Sequence, residues 1–226
     1  MQKIINFLNQ LQQNNNRLWF EEHKEEYKEV QATFNTFVEA LIAGITDFDS
    51  SIKNLTIKDC TYRIYRDIRF SNDKTPYKTH MGAFIAPHGK SGGYSGYYFH
   101  IEAKDANYIG GHLLSTGIYH PNPIVVKSIR EEIMLNGEQL DKVIKSAEGF
   151  AIDFSDALKR VPRGFSSDSK YAEYFKLRDY FLAEHLDEAF IMSENLLENT
   201  LREFKKTLLF NNWMNKAAEY AYENMR

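Results

Sequence analysis

At 226 residues, with 43% hydrophobic and 26% charged side chains, the chain is long enough for one large domain or two small ones, and its composition is globular rather than disordered or fibrous. A net charge of −3 argues against a surface that binds nucleic acid over its whole extent, while a local basic patch stays open. Cys60 is the single cysteine, which excludes an intramolecular disulfide, and the opening MQKIINFLNQLQQNNN matches neither a secretory leader nor a membrane span, so a cytoplasmic location is expected.

Ile4, Ile5, Leu8 and Leu11 predict a short amphipathic helix that stops at the Asn14-Asn15-Asn16 triplet. Asn16 is placed to cap a second, longer helix, in which Tyr27, Val30, Phe34, Phe37 and Leu41 form one apolar stripe before Gly44 and Asp47 end it. The period then changes to two. Leu55 and Ile57, then Tyr62, Ile64, Ile68 and Phe70, then Tyr77, Thr79, Met81, Ala83 and Ile85, then Tyr97, Phe99 and Ile101 alternate along extended runs with short polar loops between them. A further strand is expected over residues 107–113. Asn122-Pro123 opens a helix that stops near Asn136-Gly137, a second short helix ends at Gly149, and residues 150–154 suit one more strand. From Ser169 onward the chain reads as helical, with a stripe of Leu197, Leu201, Phe204 and Leu208 and a weaker last segment at Trp213. No linker or repeat divides the chain. The expectation is one α+β domain over residues 1–226, an antiparallel sheet (a meander) flanked by amino-terminal and carboxy-terminal helices.

The densest chemistry lies in RIYRDIRFSNDKTPYKTH, residues 63–80, which holds five Arg and Lys side chains against two Asp in a chain that is acidic overall. On a regular strand Arg66 shares a face with Tyr62, Ile64, Ile68 and Phe70, and a guanidinium turned toward a core needs a carboxylate, a carbonyl or an anionic ligand. Arg63, Arg69 and Lys74 are candidates to line a pocket for phosphate or carboxylate, Asp67 to orient an arginine, and Tyr77 to offer a hydroxyl or a stacking face. The competing expectation is that Asp67 and Asp73 pair with their basic neighbours and pin a turn. The basic loop KRVPRGFSSDSK offers Arg163 as a further contact to the same anion.

Arg63, Arg66, Asp67, Arg69, Phe70, Asp73, Lys74 and Tyr77 together form a pattern that resembles the signature of a bacterial family catalogued as a domain of unknown function (DUF2461). The stretches NNNRLWFEEHKEEY and LKRVPRGFSSDSKYAEYFKLRD are similar to other parts of that family, so the likeness spans nearly the whole chain. It implies a bacterial cytoplasmic domain and attaches no catalytic role to any of these positions.

Other motifs carry less. Gly89-Lys90-Ser91 ends like a phosphate loop, but Phe84 stands where the first glycine belongs. Gly93-Tyr94-Ser95-Gly96 lacks the last glycine of a nucleophile elbow, Tyr97 standing in its place. His100, Glu102 and His112 could meet on neighbouring strands as two or three metal ligands, but exposed strand-face histidines are the expectation. Glu102 and Lys104, with Asp67 or Asp73, allow a metal-dependent nuclease or phosphoesterase as the enzyme alternative. The leading expectation is a binder of a phosphate-bearing or other anionic small molecule. The remaining alternative is a binding or assembly module in which the Arg and Asp side chains form an internal network. Single-stranded nucleic acid is a weaker candidate partner, a membrane is not expected, and nothing in the pattern specifies a cofactor or an oligomeric state.

Overall fold

The computed structural model describes residues 1–106 and 108–224. Helix α1 (Gln2–Gln13) buries Ile4, Ile5, Phe7, Leu8 and Leu11, and it ends at the asparagine triplet. Asn16 caps the next helix, its side-chain oxygen accepting from the Trp19 N–H at 3.0 Å. The expected long second helix is divided. α2 (Arg17–Glu22) stops at His23, whose ring stacks on Trp19 and holds the Trp19 carbonyl at 2.8 Å, and α3 (Lys24–Thr46) starts immediately after it. Gly44 lies inside α3, close against Leu201, and does not end it. Leu55 and Ile57 belong to no strand. The Asp59 carboxylate accepts from the Thr56 N–H at 2.8 Å and nucleates α4 (Ile57–Cys60) instead.

Five strands form one antiparallel sheet. β1 (His80–Ile85), β2 (Gly96–Glu102) and β3 (His112–Ile118) make a meander, and β5 (Tyr180–Leu186) pairs with β3 and carries the two-residue β4 (Ala151–Ile152) at the far edge. The order is β1-β2-β3-β5-β4, which with the flanking helices makes the fold α+β. Three expectations are corrected here. Residues 62–70 form no strand, because only two isolated bridges, Thr61 with Ala83 and Tyr65 with Tyr77, hold this stretch. The strand expected over residues 107–113 lies further along the chain, at β3 (His112–Ile118), and position 107 is outside the described residues. β5 falls in a region expected to be helical. Its alternation is disguised because Glu184 shares the helix-covered face with Tyr180 and Leu182.

One face of the sheet is the core. Met81, Ala83 and Ile85, Tyr97, Phe99 and Ile101, Leu114, Thr116 and Ile118, with Tyr180 and Leu182, are all buried there. Over them lie α1, α3, α8 (Leu196–Lys206) and α9 (Leu208–Glu223). Phe99 meets Phe34 and Phe37 of α3, and Tyr97 meets Phe204 of α8. Each such ring, fully buried, contributes about 1.5–3 kcal/mol relative to exposure. α5 (Pro123–Ser146), capped by Asn122 with Pro123 in its first turn, packs on α9 and joins the two helices expected on either side of Asn136 through a kink at that residue. The short α6 (Ala172–Phe175) and α7 (Glu188–Ile191) flank β5 in sequence. The buried side chains form one continuous cluster from Ile4 to Ala221. No helix among the described residues is long and apolar enough to cross a membrane.

Candidate functional site

Residues 63–77 form an irregular loop that folds back on itself, its two arms tied by the Arg66 N–H to the Pro76 carbonyl at 2.9 Å and the Lys78 N–H to the Ile64 carbonyl at 2.8 Å. Most of its charge is satisfied internally. Arg66 reaches the Asp73 carboxylate at 2.5 Å and the Thr75 carbonyl at 3.1 Å, and it also bonds the Thr75 hydroxyl. Arg69 grips Asp67 with two parallel bonds of 2.9 and 2.6 Å, and Lys74 donates to the Ile68 carbonyl at 3.0 Å. The Arg69 side chain and backbone N–H hold the Asp67 carboxyl down to about 2. The Thr75 backbone N–H and Arg66 do the same for Asp73, also to about 2. Without a continuous ladder the strand parity fails. Ile64 is buried, Arg66 is partly buried, and Phe70 is 96% exposed at the loop tip. Tyr77 is buried, stacked on Phe20 at 3.9 Å, with its backbone N–H and carbonyl clasped by Asn15. Arg163 lines a different cavity of about 470 Å³ with Lys159, Arg160, Phe165 and Lys176, and no side chain of residues 63–77 lines it. Of the eight candidates, seven are therefore gathered in one loop and Arg163 stands apart.

The larger concavity, about 780 Å³, lies on the face of the sheet opposite the helical core. The period-two pleat presents His80 and Phe84 of β1, Tyr98 of β2, Leu113, Ser115 and Gly117 of β3, and Phe181, Ala183 and His185 of β5. Tyr62, Lys78 and Tyr108 close the β1 side. Asp153, Asp156 and Asp179 stand on the β4–β5 side, where Asp179 accepts from the His120 N–H at 2.7 Å. Lys78 and aromatic rings thus stand on the β1 side, while on the β4–β5 side the three carboxylates share the wall with Arg178. Lys78 lies over the Tyr62 ring at 5.4 Å, and burial followed by the Arg63 charge pushes its ammonium below the usual lysine range. Neither Lys78 nor Arg63 has a carboxylate partner among the described residues. Tyr108 stacks on His80 at 4.1 Å. Burial, with the neighbouring Lys78 charge, pushes the His80 imidazole down to about 3.

Under this rim runs a line of polar groups on β2. The Tyr98 hydroxyl lies 2.9 Å from His100 Nδ1, and His100 Nε2 lies 2.9 Å from Glu102 Oε2. His100 and Glu102 are buried, at 0% and 1% exposure, which overturns the expectation of exposed strand-face side chains. The cause is the loop before β3, which curls back so that the N–H groups of Ile109, Gly110 and Gly111 all donate to Glu102, at 3.2, 2.9 and 2.5 Å. Burial pulls the Glu102 carboxyl upward, but the hydrogen bonds from His100 and from the backbone N–H groups outweigh it and hold the group below the ordinary range. A carboxylate fixed this way makes Nε2 the donor and leaves Nδ1 to accept from Tyr98. Burial raises the Tyr98 phenol, so the hydroxyl keeps its proton. Gly82, paired with His100 across β1, makes room for this: a Cβ there would come within 2.5 Å of the Tyr98 hydroxyl.

Glu102 is enclosed by these donors, while Asp67 and Asp73 pair with Arg69 and Arg66 in the exposed loop. Among the described residues no group of three His, Cys, Asp or Glu side chains is placed to hold a metal ion. The sequence carried one sign of the relay, Tyr98, His100 and Glu102 on one parity of a strand, but not the loop that buries it. No curated protein and no solved structure matches the chain. A family model described as a conserved hypothetical protein (DUF2461) matches residues 3–213, nearly the entire chain, and the protein belongs to that family.

Proposed function

We propose that the protein binds a phosphate-bearing ring compound, of sugar-phosphate or mononucleotide size, on the open face of its sheet. One observation carries the reading. Lys78 is a half-buried, cavity-lining cation with no carboxylate partner among the described residues, and the Arg63 charge beside it is also unpaired. A partly desolvated cation without a counter-charge costs free energy, and a bound phosphate offsets that cost. The volume of about 780 Å³ is of the size that small-ligand sites use, roughly 300–1,000 Å³. Tyr62, Tyr98 and Tyr108 offer faces and hydroxyls to a ring, and Asp153 and Asp156 suit its hydroxyl or amino groups at the far end. In this reading Arg66, Asp67, Arg69, Asp73, Lys74 and Tyr77 form the frame that presents Arg63, and Arg163 belongs to a separate basic surface.

Thermal denaturation of the wild type and Lys78→Ala with inorganic phosphate, sugar phosphates and nucleotides tests this. At a hundred times its dissociation constant a ligand adds about 2.7 kcal/mol. That corresponds to a rise of roughly 5–11 °C at ~2–4 °C per kcal/mol for a chain of this size. A selective rise that Lys78→Ala removes is the expected result. A flat panel, or a rise that Lys78→Ala retains in full, refutes the assignment.

A further inference from the structure

We propose that Tyr98 is a nucleophile, with His100 as its base and Glu102 as the positioning residue, and that the cavity is therefore the active site of an enzyme acting on phosphate esters. The inference rests on the binding reading above only for its substrate class. The arrangement on β2 is otherwise its own argument.

Three features set this line apart from an incidental hydrogen-bond chain. The first is directionality. The Glu102 carboxylate is satisfied by three backbone N–H groups and His100, so the imidazole is held with Nδ1 toward Tyr98 and the phenolic proton points into the protein. Tyr98 lines the cavity, and as a nucleophile it would turn the lone pairs of its oxygen to that side. The second is placement. His100 and Glu102 are closed to solvent, and Tyr98 is the one member of the three that lines the cavity. The third is steric provision. Residue 82 is glycine where any side chain would push the Tyr98 hydroxyl off His100. A carboxylate–imidazole–hydroxyl sequence is the logic of nucleophile activation whatever fold carries it.

In the step proposed, the Tyr98 oxygen forms a bond to phosphorus and the phosphorus–oxygen bond to the leaving alcohol breaks. The phenolic proton moves to His100 Nδ1 and stays there, while the departing alkoxide takes its proton from a water in the cavity. Lys78, which lines the cavity, meets the phosphate oxygens. The hydroxide so formed attacks the phosphotyrosyl group, inorganic phosphate leaves, and His100 returns the stored proton to the Tyr98 oxygen. Tyr62, His80 and Tyr108 line the same cavity from β1 and the neighbouring loops, with Tyr119 just after β3.

The test uses an uncharged alkyl fluorophosphonate, which forms a stable adduct as fluoride leaves, followed by peptide mass spectrometry. In the wild type the label should fall on Tyr98 at least about tenfold faster than on the exposed Tyr65, Tyr119 and Tyr220. Its rate should level off between about pH 7 and 9, whereas an unassisted phenol gains roughly tenfold per pH unit toward its pKa of about 10. Glu102→Gln, nearly isosteric, should slow labelling about tenfold or more. Absence of label on Tyr98, or a rate that climbs with pH as on the exposed tyrosines, overturns the nucleophile. Inorganic phosphate should protect Tyr98 in the wild type and not in Lys78→Ala. Labelling that phosphate never protects overturns the phosphate-ester class while leaving the activated tyrosine standing.

Discussion

Replacing Glu102 by alanine tests the polar line on β2 through stability alone. The carboxylate is 1% exposed and accepts from His100 and from the N–H groups of Ile109, Gly110 and Gly111. Hydrogen bonds to a charged group contribute about 1.5–3 kcal/mol each, and removing one partner of a buried pair costs about 3–5 kcal/mol. Gly110 is exposed and Gly111 partly so, and their N–H groups can return to water, but the His100 ring cannot. The expected loss is therefore about 3–5 kcal/mol, or roughly 6–20 °C in melting temperature for a chain of this length. Urea unfolding at neutral pH measures it. The pH dependence adds a second check. The folded Glu102 carboxyl lies below its ordinary value, so its contribution is complete above about pH 4.3 and is lost as pH falls through the folded value. Wild-type and variant stabilities should converge in acid. A loss below about 1 kcal/mol, or a gap that persists unchanged in acid, refutes the account of Glu102 as the buried anchor of this loop.

Three further outcomes are expected. Gly117 has φ +135° and a Cβ there would collide with the Tyr180 carbonyl and the Phe181 backbone across β5, so Gly117→Ala should cost about 3 kcal/mol or more in urea unfolding. His80 is held neutral, its folded pKa about 3 against about 6.5 unfolded, so the unfolded chain binds more protons between those values and stability falls as pH drops through that window. His80→Gln should flatten that part of the pH–stability curve. Phe70, 96% exposed, should tolerate Ser within about 0.5 kcal/mol, whereas Phe20→Ala removes a buried ring stacked on Tyr77 and should cost about 3–5 kcal/mol.

Much of the scaffold was legible because its signals are local and repetitive. Met81, Ala83 and Ile85 against Tyr97, Phe99 and Ile101 alternate cleanly, since one sheet face is wholly apolar, and the inward stripes of α1 and α3 follow the 3.6-residue period. The same alternation misled at residues 62–70. Tyr62, Ile64, Ile68 and Phe70 repeat on one parity, but only isolated bridges form, so parity does not fix which side chain is buried. The strand at β3 was expected too early, over residues 107–113, because Ser115, Thr116 and Gly117 interrupt its hydrophobicity. Thr116 is nonetheless buried, its hydroxyl donating to Asn211 of α9 at 2.9 Å. The site was legible only in fragments. The basic surplus at residues 63–78 drew attention to the neighbourhood, but its densest charges pair with each other. The cavity is assembled from β1, β2, β3 and β5 and from loops distant in sequence, and that convergence leaves no mark in any one stretch.

The most direct test of the open sheet face as the ligand site is an amide NMR titration of the ¹⁵N-labelled protein with the phosphate compound that most raises its melting temperature. The account predicts that shifts concentrate on Lys78, His80, Gly82, Tyr98, Ser115 and Ala183, and that Lys78→Ala abolishes them. Shifts confined to Arg66, Arg69 and Lys74, or to Lys159, Arg160 and Arg163, would contradict it and place the anion on one of the two basic loops instead.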